Sequence, residues 1–340
     1  IELTSLAALR DLPFDEIIDV RSPAEFAEDH VPGAISLPVL SNEERAHVGT
    51  LYKQVEPFVA RKVGAALVAR NAALHLEGPL ADRPGSWRPL VYCWRGGQRS
   101  GSVAWLLGTA GYDVRRWEGG YKAYRNRVLA ELERPRPYRV LTGHTGVGKT
   151  EALATIFDAG LQVLDLERLA NHRGSAFGHV GLGAQPTSEQ FENYLAAELA
   201  SLDPILPIWV EDESQSIGRV WLQPNFFKLL QNAPRLELVR SPEERAQLLA
   251  RIYGEAPTDQ LKNSFTKLAR KIGGQWVPVA HQKIDEGQLA EAAALALRYY
   301  DKTYAHSMAR TESTVQQRLD LTGLLPDQAQ SALLEALSAF

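Results

Sequence analysis

Short apolar runs alternate along this chain with stretches whose apolar residues recur three and four apart. In the first part, residues 16–20, 35–37, 89–92 and 112–117 read as strands. Ser22-Pro23 opens a helix between the first two, serine as cap and proline as first helical residue. Ser102-Val103-Ala104-Trp105-Leu106-Leu107 begins another. Residues 138–142, 161–166, 204–210 and 236–239 form a second series of strands, with helices expected over 151–159, 226–230 and 241–251. Strands alternating with helices predict an α/β chain of open parallel sheets, with active loops at the carboxyl ends of the strands. Between residues 37 and 89 lie roughly fifty residues, too many for a structureless loop. Residues 43–52 and 59–76 have helical spacing, with Leu67, Ala72, Leu74 and Leu76 among the apolar positions. A helical insertion over about 41–86, packed against the sheet, is expected there. Its Arg61, Lys62 and Arg70 read first as a solvated face and second as part of an RNA track.

Glu133-Arg134-Pro135-Arg136-Pro137 is a stiff, charged break. It divides the chain into a first domain (1–132), a linker (133–137), a second domain (138–300) and a C-terminal helical segment (301–340) that closes the core. The length of 340 residues agrees with two domains. Hydrophobic residues make up 45% and charged residues 23%, enough for full cores. A net charge of −4 gives no global signal for nucleic acid and leaves room for a local basic face. Lys262, Lys267, Arg270 and Lys271 make a locally basic helical stretch, the leading candidate for a nucleic-acid face and otherwise a solvated one. A single cysteine excludes an internal disulfide and points to a reducing, cytoplasmic setting. No apolar run approaches the ~20 residues of a membrane span, and residues 1–10 are too short and mixed for a signal peptide. The chain begins with Ile1 rather than Met, so a few residues are expected ahead of it.

The chemistry concentrates in two places. Cys93 ends the strand 89–92 and leads Trp94-Arg95-Gly96-Gly97-Gln98-Arg99-Ser100 into a helix. Two glycines let successive amides turn inward, the helix N-terminus adds partial positive charge, and Arg95 and Arg99 add whole charges. Such a site stabilises a thiolate and draws an anion, so Cys93 is the candidate nucleophile, open to a ligand. Arg95, Gly96, Gly97, Gln98 and Arg99 form its anion cradle. The charged set Asp19, Arg21 and Glu25 reads as a bracing network around this end of the sheet.

The second place is Gly143-His144-Thr145-Gly146-Val147-Gly148-Lys149-Thr150, a complete G-x4-GK[ST] phosphate-binding loop between a strand and a helix. Gly143, Thr145, Gly146, Val147 and Gly148 present amides to a diphosphate. Lys149 neutralises it, and the Thr150 hydroxyl can hold Mg2+. This gives a P-loop NTPase/kinase-like domain. Glu211 follows the strand 204–210 as the leading acid to orient Mg2+ or a water, with Asp212 and Glu213 as alternatives. His172, Arg173 and Ser175 lie on a glycine-rich stretch that reads as a substrate loop, and their spacing fits no common zinc pattern. Arg245 and Arg251 are candidates to close over phosphates.

Asp19-Val20-Arg21-x3-Glu25-Phe26-x3-His30-Val31-Pro32-Gly33-Ala34, with the Cys93 loop and Glu118-Gly119-Gly120, resembles rhodanese domains. That rhodanese-like part precedes the P-loop part. With His172-Arg173-Gly174-Ser175-x-Phe177-Gly178 and Val210-Glu211-Asp212-Glu213-Ser214, the chain as a whole resembles the bacterial tRNA 2-selenouridine synthases. The resemblance implies action on 2-thiouridine at the wobble position of tRNAs of the Lys, Glu and Gln type. It implies S-geranylation from geranyl diphosphate, then exchange of the geranylated sulfur for selenium from selenophosphate, so the chain depends on a selenophosphate supply. Both donors are co-substrates. Cys93 would serve the selenium step, covalently or by positioning. A rival reading rests on Cys93-x5-Arg99-Ser100, the spacing of cysteine-dependent phosphatases, fused here to a small-molecule kinase.

Overall fold

The computed structural model describes residues 2–308 and 314–340, and the side chains of 305–308 lie outside the description. The chain forms two compact units, Ile1–Leu132 with Glu189–Ser201, and Glu133–Ser188 with Leu202–Phe340. Each is a parallel sheet flanked by helices, as the alternating pattern predicts.

In the first unit the strands are β1 (Glu16–Asp19), β2 (Ile35–Ser36), β3 (Pro89–Tyr92) and β4 (Arg115–Arg116), in the order β2-β1-β3-β4. β1 and β3 are buried and pair Ile18 with Val91 and Asp19 with Tyr92, so their carboxyl ends share one edge. The expected strand 112–117 shrinks to the exposed pair Arg115–Arg116. The insertion folds as two helices, Asn42–Gln54 and Pro57–Glu77, started by a Ser41–Glu44 capping box and by Pro57. Ala60, Gly64, Val68 and Ala72, four apart, form the buried stripe of the longer helix. Small residues there allow close approach: a Cβ on Gly64 would lie 3.3 Å from Val48 Cγ1. Val68 and Ala72 join Ile18, Val91 and Val103 in the core.

The helix Ser188–Leu199 was not foreseen in the pattern, and its residues from Glu189 on belong to the first unit. Its buried polar residues explain the docking. Gln190 Oε1 accepts from His30 N at 2.6 Å, and Asn193 Nδ2 donates to His30 O at 2.9 Å and Tyr121 Oη at 2.7 Å. Buried amides are matched to specific partners rather than to a generic apolar face.

The second unit holds β5 (Tyr138–Gly143), β6 (Gln162–Leu164), β7 (Ile208–Glu211), β10 (Arg235–Val239) and β11 (Val315–Asp320) in the order β11-β10-β5-β7-β6. The hairpin β8 (Ser216–Ile217) with β9 (Val220–Trp221) lies between β7 and β10 in the chain. β5 is central, so its carboxyl end is flanked by those of β7 and β10. Segment 301–340 is not purely helical. Val315–Asp320 completes the sheet as an edge strand before the helix Pro326–Ala339, and residues 309–313 of the segment lie outside the described residues. Its alternating half-buried and exposed residues, with Arg318 and Asp320 outward, suit an edge and mask it from an apolar-run search. Helices Thr258–Lys267, Trp276–Asp285 and Leu289–Met308 turn apolar residues into a separate cluster around Phe177 and Phe265.

Candidate active site

Cys93 follows β3 directly, and the chain turns through Gly96 and Gly97 into the helix Gln98–Thr109. Gly96 has φ +62°, and a Cβ there would strike the Trp117 carbonyl. From the other side Gly120, φ +57°, presses on the same loop, where a Cβ would run into the Cys93 carbonyl. Tyr121 N and Lys122 N donate to the Cys93 and Trp94 carbonyls, both at 2.9 Å. The Glu118-Gly119-Gly120 turn is therefore the second wall of the cysteine loop.

The thiol is recessed, contrary to the expectation of an open one. Cys93 is 3% exposed, and its Sγ sits 3.2 Å from the buried Ser100 Oγ. The cause is β3, whose buried strand carries the side chain toward Val91 and Val103. Cys93 still contributes to the lining of a cleft of about 1160 Å³ shared with Arg95, Gly97, Gln98 and Arg99. Gly96 sits behind that wall against Trp117, giving the turn its shape.

Arg99 lines the cleft but its guanidinium holds Glu25, at 2.6 Å and 3.1 Å. Burial favours the protonated Glu25, yet the Arg99 charge and hydrogen bonds, with those from Ser22, outweigh it and hold the carboxyl at about 2. A phosphatase loop needs that arginine on the phosphate, so the pairing weighs against the rival reading. Asp19 and Arg21 are fully braced. Arg21 Nε donates to Asp19 Oδ2 at 2.9 Å, Tyr92 Oη donates to the same oxygen at 2.7 Å, and the guanidinium lies 4.0 Å over the Tyr121 ring.

In the second unit the phosphate loop joins β5 to the helix Lys149–Asp158. Gly143 packs so tightly on β10 that a Cβ would lie 2.6 Å from Leu238 O, and Gly146 and Gly148 have φ of +78° and +99°. Lys149 Nζ lies 3.2 Å from Gly143 O, folded over its own loop. Thr145, Val147 and Thr150 join these residues around a cavity of about 580 Å³. Thr150 Oγ1 is 3.4 Å from Glu167 Oε2.

The acids separate into two groups. Glu211 is buried; its Oε1 accepts from Glu167 N at 2.8 Å while Oε2 has no partner. Burial, then the charge of Asp165, pushes its carboxyl up to about 8. Burial and the neighbouring Glu167 likewise push Glu213 up, and burial raises Glu167 against the pull of Lys149. Asp212 instead accepts from Thr142 Oγ1 at 2.6 Å and lies 3.6 Å from Arg235. Glu167, two residues past Asp165, is the acid that a search of strand ends under-weights, because only the turn of the short helix Leu166–Ala170 swings it to the loop. Among the described residues no three His, Cys, Asp or Glu groups stand close enough to hold a metal by themselves.

Arg173 and Ser175 line the cavity, and Gly174 lies so near the acids that a Cβ would sit 2.6 Å from Glu167 Oε1 and Glu213 Oε1. His172 does not join them. It is 6% exposed, its Nδ1 has no partner, and Gly178 and Gly218 pack on its ring. Burial, then the charge of His179, lowers its proton affinity. Arg245 does not close over the phosphate site either. It holds Asp301 through both Nη atoms at 2.8 Å and Thr145 O at 3.2 Å, bracing the loop from behind. His144 Nδ1 meets the same carboxylate at 2.9 Å. Arg251 is exposed and does not line the cavity.

Against this cavity lies a small apolar recess, about 50 Å³, that shares Thr145, Ser175, Leu249, Tyr253 and Tyr300 with it. Beyond those, Phe177, Leu261, Phe265, Ile284, Ala292 and Ala296 line it, all apolar. The sequence did not distinguish these from ordinary core.

Residues 2–127 match the family model of the rhodanese-like domain, and residues 136–325 that of the tRNA 2-selenouridine synthase AAA domain. The chain is 40% identical over 242 residues to the tRNA 2-selenouridine synthase of Nitrosomonas europaea, covering 68% of this chain and 60% of that protein. It is 38% identical over 268 residues to that of Nitrosomonas eutropha, covering 75% and 65%. With the protein of the same name from Sulfurovum sp. it shares 33% identity over 337 residues, covering 88% and 90%. No helix among the described residues is long and apolar enough to cross a membrane. With one family model over more than half its length, and a relative matched across nine tenths of its own, the chain belongs to the tRNA 2-selenouridine synthase family.

Proposed function

We propose that this chain converts 2-thiouridine at the wobble position of tRNA into 2-selenouridine, through an S-geranylated intermediate. The observation that carries the reading is the cavity of about 580 Å³ at the phosphate loop, which sets apolar side chains beside its amides and continues into an apolar recess of about 50 Å³. A nucleotide would place a polar base and ribose beyond its phosphates. A prenyl diphosphate places hydrocarbon there, against Leu248, Leu249, Ile252 and Tyr253 of the same cavity, with the recess beside Phe177 taking only the tip of the chain.

In the first step the thiouridine sulfur attacks C1 of geranyl diphosphate, the C1–O bond breaks, diphosphate leaves with the electron pair, and the base gives up its N3 proton. The loop amides and Lys149 stabilise the departing charge. Glu167, Glu211 and Glu213 line the cavity with Thr150 and offer oxygen, and Glu211 Oε2 is buried without a partner among the described residues. That chemistry fits Mg2+, which takes one or two protein oxygens and completes its shell with phosphate and water. Thr150 and Glu211 are the residues that would hold it, and bound there it would neutralise diphosphate charge.

In the second step selenium attacks C2 of the base and the geranylated sulfur leaves as the thiol. Water takes the phosphorus of selenophosphate to give phosphate. The Cys93 cleft serves this step, with the helix N-terminus and Arg95 attracting the anion. Geranylation makes it possible by turning a poor leaving group into a thiol. The test is mass spectrometry of thiolated tRNA incubated with geranyl diphosphate and selenophosphate. Cys93→Ala is expected to accumulate geranylated tRNA. Loss of geranylation with selenation retained would sink the division of labour.

A further inference from the structure

The cleft above Cys93 has a composition that the selenium donor alone does not explain. Arg45, Arg61, Lys62, Arg95 and Arg99 line it, and no carboxylate does. Glu25 reaches only Arg99 and Arg45, the latter at 3.8 Å, leaving Arg61, Lys62 and Arg95 without an ion pair among the described residues. A selenophosphate-sized anion needs few of these charges and little of a cavity of about 1160 Å³. Interleaved with the cations are three aromatic side chains left in solvent: Tyr52, 59% exposed, Phe58, 61%, and Trp94, 41%. Large apolar rings are normally buried. Two of these flank the turn between the insertion helices Asn42–Gln54 and Pro57–Glu77, and the third belongs to the cysteine loop. Cations along a groove with exposed rings between them are the recognition pattern for unpaired nucleotides. The charges follow phosphates, and the rings stack on bases that no complementary strand covers.

We propose that the helical insertion is an RNA-binding element, and that Tyr52, Phe58 and Trp94 stack unpaired bases of a hairpin loop while Arg61, Lys62 and Arg95 follow its backbone to Cys93. This rests on the functional reading above and adds to it the surface that receives the RNA. The recessed thiol agrees with it, because a base flipped out of a loop can reach the floor of a cleft that a stacked base cannot.

The test measures binding of the full chain to a short stem–loop RNA with 2-thiouridine in its loop, and to a fully paired duplex of matched length, across a range of salt. Tyr52→Ala and Phe58→Ala alter exposed side chains, so circular dichroism should be unchanged. Each is expected to weaken stem–loop binding by about 10-fold and to leave duplex binding alone. Arg61→Gln with Lys62→Gln is expected to flatten the dependence of log K on log salt by roughly 1 to 2. If the wild-type chain binds the stem–loop and these variants bind equally well, the proposal is overturned and the functional reading stands. If the wild-type chain binds no stem–loop at all, both fall. Self-association that Phe58→Ala abolishes, with RNA affinity intact, would overturn it in favour of a contact between copies of the chain.

Discussion

Glu211 shows how one carboxyl couples the site to the stability of the chain. Below about pH 4.5, its ordinary value, the folded and unfolded states both hold its proton. Between there and about 8 the unfolded chain releases the proton while burial keeps it on the folded one, so stability falls as pH rises through that window. Glu211→Gln keeps an oxygen for Glu167 N and removes the titration. Its melting temperature is expected to exceed wild type by at least about 2 °C at pH 8 and to match it at pH 4, with geranyl transfer reduced. A melting difference independent of pH would show that the burial argument is wrong. Glu25 has the opposite sign. Paired with Arg99 and held at about 2, it contributes stability above about pH 4.5 that is lost as pH falls toward about 2.

At the scale of elements, glycines govern the meeting of the cysteine loop with the helix Gly120–Leu132. Gly120 supplies a left-handed turn and lets two backbones touch where the Cys93 carbonyl takes its hydrogen bond from Tyr121. Gly120→Ala therefore meets both a disfavoured left-handed φ and a steric block. We expect it to cost about 2–4 kcal/mol in urea unfolding and to lose selenation more than geranylation. A variant as stable as wild type would mean that the loop yields easily and that its position is not set by this contact. The same helix–loop logic accounts for Arg245. It comes from a helix opening after β10, yet its length and planar fork carry it to Asp301 and Thr145, behind the loop instead of over it.

For the whole molecule, the two cradles lie in different sheets, and the proposed division of labour gives them different steps, so they should be separable by mutation. Lys149→Ala is expected to lower geranyl transfer by at least about 100-fold. Given tRNA already geranylated, that variant should still carry out selenation near the wild-type rate, while Cys93→Ala should not. Mass spectrometry of both variants on both substrates checks this. A Lys149→Ala protein that fails on geranylated tRNA would tie the two steps to one site.

The local words carried much of this on their own. Strands β1, β3, β5, β7 and β10 are apolar runs, and a strand-to-helix turn with the right glycines dictates where amides and charges must point. The placement of Cys93, Lys149 and Thr150 in strand-to-helix turns was legible because such motifs are contiguous in the chain and depend mainly on backbone shape. Tertiary structure decided what depends on residues distant in sequence. It recessed the thiol, turned Arg99 to Glu25 and Arg245 to Asp301, buried His172 under two glycines, and brought Glu167 beside Thr150. It also gave β11 a partner and the helix Ser188–Leu199 its place in the first unit. The apolar pocket by the phosphate loop could not have been read in advance, because a side chain lining a cavity and one filling a core obey the same hydrophobic pattern. Only the packing of the surrounding helices determines which of them has space beside it.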